Sequence, residues 1–373
     1  MSMASTPDGR QTIGEIDVSM APADLKIPRW CYRTRLLSST LVVAAVGLLA
    51  LSCSTPTVSA PPRTQPSPRQ SSPRASTPPA TAAGTAPWEL TSSIAPFTLP
   101  AAVSRPTVYA SGNGLLVVGG LTAADSTTQS ILLVDLARQA VRPAGRLPVP
   151  VHDAAGAMVR GRDLLFGCES TAVSSAVQDV APGTTHRLIS HLPAPRADLV
   201  AISDGTAAYV LGGFDGQQGS ATILRTIDGT TFTVVGTAAV TVRYPAVAAS
   251  GGSIWLFGGE HAGKQITDVQ RIDLATGRGR VTGHLPRPLA HAGAFTLGGS
   301  VFIAGGRTSS TVADTVLRFD TADLRFTAVG HLPAARSDFG VAVVGAAAYL
   351  IGGESPKPVN TLIQVRAHAG GTP

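Results

Sequence analysis

Six polar or ionisable residues recur along this chain nearly in step. Arg105, Asp153, Asp198, Tyr244, His291 and Asp338 are separated by 48, 45, 46, 47 and 47 residues. Sixteen positions after each stand Leu121, Glu169, Phe214, Glu260, Arg307 and Glu354. In a chain only 14% charged, carboxylates, arginines and a histidine held in register need a shared geometric reason. Gathered in one place, these types can pair guanidinium with carboxylate, recognise a polar partner, or pass a proton through a group of shifted pKa. Taken singly, each has a plainer role, because a polar residue at a strand start often bonds only neighbouring backbone. His291 alone reads as a hydrogen-bonded turn residue rather than a metal ligand or base, and no metal site or cofactor is expected.

The elements that must position these residues lie between them. Apolar runs ending in two glycines occur at LLVVGG (115–120), AYVLGG (208–213), IWLFGG (254–259), VFIAGG (301–306) and AYLIGG (348–353). At LLFGC (164–168), Cys168 takes the second glycine's place. Glycine pairs weaken strands, so each pair needs positive φ or a close backbone approach to justify it. The first glycines, Gly119, Gly167, Gly212, Gly258, Gly305 and Gly352, keep the period of the polar residues. Each unit has one inner order. A Leu-Pro turn comes first, at 99–100, 147–148, 192–193, 285–286 and 332–333, the fourth unit lacking it. A strand of small and branched residues comes next, such as LVAIS (199–203), AVAAS (246–250) or GVAVV (340–344), and then the apolar strand with its glycine pair. A third strand, as in TILRTID (222–228) or TVLRFD (315–320), and a fourth, as in FTVVG (232–236) or FTAVG (326–330), end the unit. Four strands in each of six such units predict an all-β, six-bladed β-propeller.

The diglycine after the second strand, the period near 47 and third strands such as VQRID (269–273) and VLRFD (316–320) resemble Kelch repeats. The resemblance covers residues 87 to about 366. It departs from the family pattern twice: Phe232 and Phe326 stand where the fourth strand usually carries Trp, and the third-strand tyrosine is missing. No Trp-Asp pair of the WD-repeat kind occurs. TIDGTTF (226–232) lacks the spacer between Asp228 and Gly229 that a sialidase Asp-box needs. After Gly353 one convincing strand remains, TLIQVR (361–366), so the sixth blade lacks its outer strand. WELTSSIAPFTLP (88–100) is placed to supply it and close the ring.

In such a fold both polar sets ring the channel mouth on one face, with His152, Arg196, Arg243 and Arg336 nearby. The Kelch resemblance implies that ligands dock on a face of this kind. Arg196/Asp198 and Arg336/Asp338 can equally be ion pairs that only tie blades together. A copper site like that of galactose oxidase needs two His, two Tyr and a Cys–Tyr crosslink, and Tyr244 and His291 have no matching partners. A sialic-acid epimerase would use Arg, Glu and His around the same channel, which this face offers in Glu260, Arg307 and His291. Nucleophilic hydrolysis finds no G-x-S-x-G, and the glycine pairs open no helix as a dinucleotide fingerprint would.

The first eighty-six residues read as an address and a tether. LLSSTLVVAAVGLLALS (36–52) is uncharged and apolar, preceded by Lys26, Arg29, Arg33 and Arg35, so the positive-inside rule places the chain beyond Ser52 outside the cytoplasm. ALSC, ending at Cys53, resembles a bacterial lipobox in which the cysteine is lipidated, although Ala50 and Leu51 depart from it. The alternatives are an uncleaved signal anchor and free secretion. Residues 53–86, almost all Ser, Thr, Pro, Ala, Gln and Arg, cannot bury a core. They form an expected disordered linker reaching on the order of 100 Å. Residues 1–35 would be the cytoplasmic or n-region, and 87–373 the propeller.

Composition narrows the partners. The net charge is +6, but residues 87–373 carry 21 basic and 19 acidic residues, so four excess charges sit in the N-terminal tail. No basic stripe interleaved with aromatics appears, which excludes a nucleic-acid reading. Cys31, Cys53 and Cys168 have no metal or redox spacing, and Cys168 reads as a small buried apolar residue. The expectation is a monomeric, membrane-tethered binding or scaffold module for an envelope protein or glycan, with a carbohydrate-active enzyme of the epimerase or lyase kind as the alternative. Cys53→Ala separates the anchoring modes. Release from the membrane, with loss of lipid mass in mass spectrometry, is expected for a lipoprotein, and unchanged retention and mass for a helical anchor.

Overall fold

Runs of alternating and fully apolar residues, cut by glycine-containing turns, pair antiparallel into six four-stranded sheets. The computed structural model describes residues 88–183 and 185–369, all within the compact unit Pro79–Pro373. Blades 1 to 5 run in chain order. Blade 1 is Thr107–Ser111, Gly114–Val118, Thr128–Asp135 and Ala140–Val151. Blade 2 is Ala155–Val159, Arg162–Glu169, Val173–Asp179 and Arg187–His191. Blade 3 is Ala197–Ser203, Ala208–Phe214, Thr222–Thr226 and Thr233–Thr237. Blade 4 runs Ala246–Ser250, Ser253–Phe257, Asp268–Asp273 and Gly279–His284. Blade 5 runs Gly293–Leu297, Ser300–Ala304, Thr315–Asp320 and Arg325–His331. The strand order expected from the repeat holds in each.

Blade 6 joins the two ends of the propeller. Gly340–Val344, Ala347–Ile351 and Thr361–Ala369 are completed by Trp88–Thr98, which pairs antiparallel with the last of them from Trp88↔Ala369 to Thr98↔Thr361. Closure therefore comes from the N-terminal strand, as its sequence position predicts. Trp88 packs edge-on against Phe302 of blade 5, with ring centroids 5.4 Å apart, and Asn360 Nδ2 donates to the Leu99 carbonyl at 3.1 Å.

The core lies between blades rather than within them, because both faces of each sheet are covered by neighbours. Blades 2 and 3 share Leu164, Phe166, Val177, Val210 and Leu224. Blades 4 and 5 share Trp255, Phe257, Ile303 and Phe319. The remaining neighbour pairs have equivalent clusters. Cys168 is fully buried in the cluster of blades 1 and 2, and burial pushes its thiol up to about 11, so it is an inert apolar filler there.

The glycine pairs join one blade to the next. The amide of the second residue of each pair donates to a carbonyl at the entrance of the following blade: Gly120 to Val151, Cys168 to Arg196, Gly213 to Val242, Gly259 to Leu289, Gly306 to Arg336 and Gly353 to Val103, all at 2.8–3.0 Å. The same carbonyl presses on the first glycine. A Cβ on Gly305, whose φ is 61°, would lie 2.2 Å from the Arg336 oxygen, so only glycine admits the approach. The second position contributes its N–H, which explains how Cys168 can replace a glycine. Among the described residues no helix is long and apolar enough to cross a membrane; residues 36–52 lie outside the described residues, as do Cys53 and the linker.

Removing residues 88–98 leaves blade 6 without its outer strand and takes Trp88 and Leu90 from the cluster it shares with blade 5. We expect residues 99–373 to lose cooperative thermal unfolding, whereas residues 87–373 retain it. Calorimetry of both fragments checks this, and matching transitions would refute strand-mediated closure.

Candidate functional site

The six in-register polar residues converge where the chain enters each blade. All six adopt left-handed backbone conformations, with φ between 51° and 58°, a region in which Asp and His are enriched among non-glycine residues. Their main chains link head to tail around the axis. Asp198 N donates to Asp153 O, Tyr244 N to Asp198 O, His291 N to Tyr244 O, Asp338 N to His291 O and Arg105 N to Asp338 O, at 2.6–3.1 Å. The second set is held beside the first by a β-bridge in every blade, formed with the residue just before each ring position: Ser104↔Leu121, His152↔Glu169, Ala197↔Phe214, Arg243↔Glu260, Ala290↔Arg307 and Ser337↔Glu354. The sequence-predicted residues are thus brought together as two concentric rings. The inner ring lines an axial cavity of about 130 Å3.

Ion pairs bind the rings. Arg105 Nη1 reaches Asp153 Oδ2 at 2.9 Å and its Nε lies 3.4 Å from Asp338 Oδ1. His291 Nδ1 lies 2.6 Å from Asp338 Oδ1 and Nε2 lies 3.3 Å from Glu260 Oε1. Arg307 contacts Asp338 Oδ2 at 3.1 Å and Glu354 Oε2 at 3.5 Å, and Ser337 donates its hydroxyl to Asp338 Oδ2 at 2.6 Å. Arg243 pairs with Asp198 and lies over Phe214 and Tyr244, 4.5 and 5.3 Å from the ring centroids. Tyr244 stacks on the His291 imidazole with centroids 3.9 Å apart. Asp338 is the hub, holding one imidazole, two guanidinium groups and a hydroxyl.

The electrostatics differ across the mouth. Burial opposes ionisation of Asp338, but His291, Arg307 and Arg105 overcome it and hold the carboxyl at about 2. Burial likewise opposes a charged His291, and its hydrogen bonds to Asp338 and Glu260 outweigh that and raise it. On the other side burial wins. Asp153 is pushed up to about 7 by burial, against Arg105 and with help from Asp198 and Asp338, and burial raises Asp198 and Glu169 too. The mouth holds six carboxyl groups, Asp153, Glu169, Asp198, Glu260, Asp338 and Glu354, against the basic groups Arg105, Arg243, Arg307 and His291, so acidic groups outnumber basic ones there even though burial holds Asp153 near 7.

Arg196 and Arg336 do not pair with the aspartates two residues on. Each turns into its own blade, Arg196 donating to the Thr222 carbonyl and hydroxyl, Arg336 to the Gly352 carbonyl and the Thr361 hydroxyl, at 2.8–3.1 Å. Burial lowers both to about 10. They are internal braces, outside the mouth. His152, Asp153 and Glu169 bring ligand atoms within 4.8 Å of one another, the one group among the described residues whose donor types suit a metal ion. Thr127 occupies His152 Nδ1 at 2.8 Å, and Arg105 already supplies positive charge to Asp153. Sequence reasoning placed His152 and Arg243 near the mouth but missed Thr127 and the Ser337 hydroxyl. The position just before each ring residue, polar in Ser104, His152, Arg243 and Ser337, was the available signal for Ser337.

No family model matches the chain, and no curated protein matches it. Among solved structures, one described as "Structure of YjhT" superposes with a TM-score of 0.62 over 72% of this chain and 95% of that one, at 16% identity. That likeness supports the six-bladed propeller fold and nothing finer.

Asp338 stabilises the folded state above its ordinary unfolded pKa, and that stability is lost as pH falls from near 4 through about 2. Wild type should therefore lose on the order of 2 kcal/mol across that window from this group alone. Asp338→Asn should cost about 3 kcal/mol at pH 7 by stranding buried cationic partners. The variant should also flatten the acid limb in urea titrations and lower the His291 pKa read by NMR.

Proposed function

We propose that this protein is an extracytoplasmic, membrane-tethered Kelch-type propeller that binds an envelope protein or glycan at its channel mouth without transforming it. The carrying observation is the pair of concentric rings: twelve in-register positions, mostly polar, half-buried or buried, and preorganised by ion pairs around a cavity of about 130 Å3. That cavity is smaller than the roughly 300–1,000 Å3 of pockets that engulf a small molecule. A partner that rests on the mouth and inserts one side chain or one sugar substituent suits it better than an enclosed substrate. Phe214 and Tyr244, stacked with Arg243 and His291, add an aromatic shelf of the kind that both glycans and protein loops use. The acidic excess favours a partner carrying a cationic group. Residues 36–52 or a lipidated Cys53 would hold the propeller at the membrane, with residues 53–86 as the tether. The Kelch assignment rests on the five glycine pairs and the repeat length, and it belongs to this reading.

One observation favours the enzymatic alternative. Asp153, near 7, and His291, raised, face the same axial cavity, and groups that titrate near neutral pH suit proton transfer in an epimerase or lyase.

Photo-crosslinking from position 214 in envelope preparations, alongside sugars incubated and examined by mass spectrometry, tests both readings. We expect a crosslinked partner or a bound, unaltered glycan, and at least a tenfold loss of binding in Glu169→Gln/Tyr244→Phe, which keeps the ring stacked on His291, with a cooperative thermal transition retained. A chemically converted sugar would replace this reading with the enzymatic one. Binding unaffected by the double variant would remove the mouth as the site.

A further inference from the structure

A second cavity, of about 270 Å3, opens in the wall shared by blades 4 and 5. Leu285, Leu289, Ile303 and Leu317 line it, and Arg287 and Thr315 stand at its polar side. None of its lining residues belongs to the two rings of the mouth. Comparison of the repeats shows what is unusual about it. In blades 3, 5 and 6 the same third-strand position holds threonine: Thr222, Thr315 and Thr361. In two of these blades a buried arginine, Arg196 or Arg336, fills the adjoining space and donates to the threonine hydroxyl. In blade 5 the equivalent position is Leu289, four residues after the Leu285 of the Leu-Pro turn, as Arg196 comes after Leu192 and Arg336 after Leu332. Leucine is shorter and has no donor, so the space stays open and Thr315 loses that bond. Arg287 supplies a guanidinium instead, from the exposed rim, with Nη2 3.3 Å from Thr315 Oγ1. Arg287 forms no ion pair among the described residues.

We propose that this cavity is a binding site for a small amphiphilic carboxylate, an acyl chain of about eight carbons whose carboxylate is held by Arg287 and Thr315. The volume supports the tail, since an apolar cavity of roughly 150 Å3 already takes benzene and stays free of water. Apolar walls of leucine and isoleucine offer the chain no polar competitor. The head is set by charge: a guanidinium without a carboxylate partner at an apolar opening recognises a carboxylate in bidentate fashion. The threonine hydroxyl donates a further hydrogen bond.

Isothermal titration of the full chain with sodium octanoate, 1-octanol and butylguanidinium tests this. Octanoate should bind, with 1-octanol at least tenfold weaker and butylguanidinium weaker still. Arg287→Gln, at an exposed site that leaves the core intact, should weaken octanoate tenfold or more. Leu289→Arg restores the residue that two sister blades accommodate, so it should fold normally and abolish octanoate binding. Methyl resonances of Ile303 should shift on octanoate addition in wild type. The proposal is overturned if octanoate does not bind, if octanol or butylguanidinium binds as tightly, or if Arg287→Gln leaves the affinity unchanged.

Discussion

One main-chain hydrogen bond, made six times, governs this molecule. An amide at the end of each second strand donates to a carbonyl at the entrance of the next blade, across the line where two sheets meet. For that contact to form, the preceding residue must have no side chain, since the accepting carbonyl occupies the place of its Cβ. The whole repeat is organised by this approach. Its glycines cannot drift along the strand, the next blade must start opposite them, and the period of the chain is set accordingly. The interblade clusters of leucine, valine and phenylalanine supply the burial, but they are non-directional. The amide-to-carbonyl link is what fixes how far each blade is advanced along its neighbour.

The polar mouth is a by-product of the same geometry before it is anything functional. Two residues beyond each accepting carbonyl the chain turns through a left-handed conformation, and at every position but Arg105 it hands its carbonyl to the next ring residue. Aspartate and histidine tolerate that conformation better than branched residues do, which accounts for four of the six inner positions without reference to a ligand. Arginine and tyrosine at the other two are not explained that way, and they are the two inner members that are half-buried rather than buried. The chemical character of the mouth therefore sits in what the backbone did not require: Arg105 and Tyr244 of the inner ring, and the varied outer ring, where leucine, phenylalanine, arginine and glutamates occupy equivalent bridges.

Much of this was legible in the sequence because it is repeated. The strand order, the closing role of Trp88–Thr98, the inert Cys168 and the juxtaposition of the two rings could all be read from spacing alone. Spacing could not show where a long side chain turns. Arg196 and Arg336, two residues from ring aspartates, looked suited to ion pairs, yet each folds back onto a threonine whose identity matters only once the third strand is beside it. Nor could spacing rank the carboxylates. Asp153 and Asp338 are equivalent by position, yet one titrates near 7 and the other near 2, because Asp338 collects an imidazole and two guanidinium groups while Asp153 keeps one guanidinium.

The closing strand has a bearing on how the protein is made. Trp88 pairs with Ala369, 281 positions further on, so the first of the described strands to be synthesised is among the last to find its partner. At ordinary elongation rates the interval is on the order of tens of seconds, during which the nascent chain carries an open strand edge capable of recruiting another copy. Its composition is suited to that wait. WELTSSIAPFT alternates half-buried and exposed positions, is rich in serine and threonine, and carries Pro96 where its register breaks. A proline within the strand and a broken register both discourage pairing with a foreign strand. The segment that latches the ring last is thereby also its guard against aggregation while the ring is unfinished.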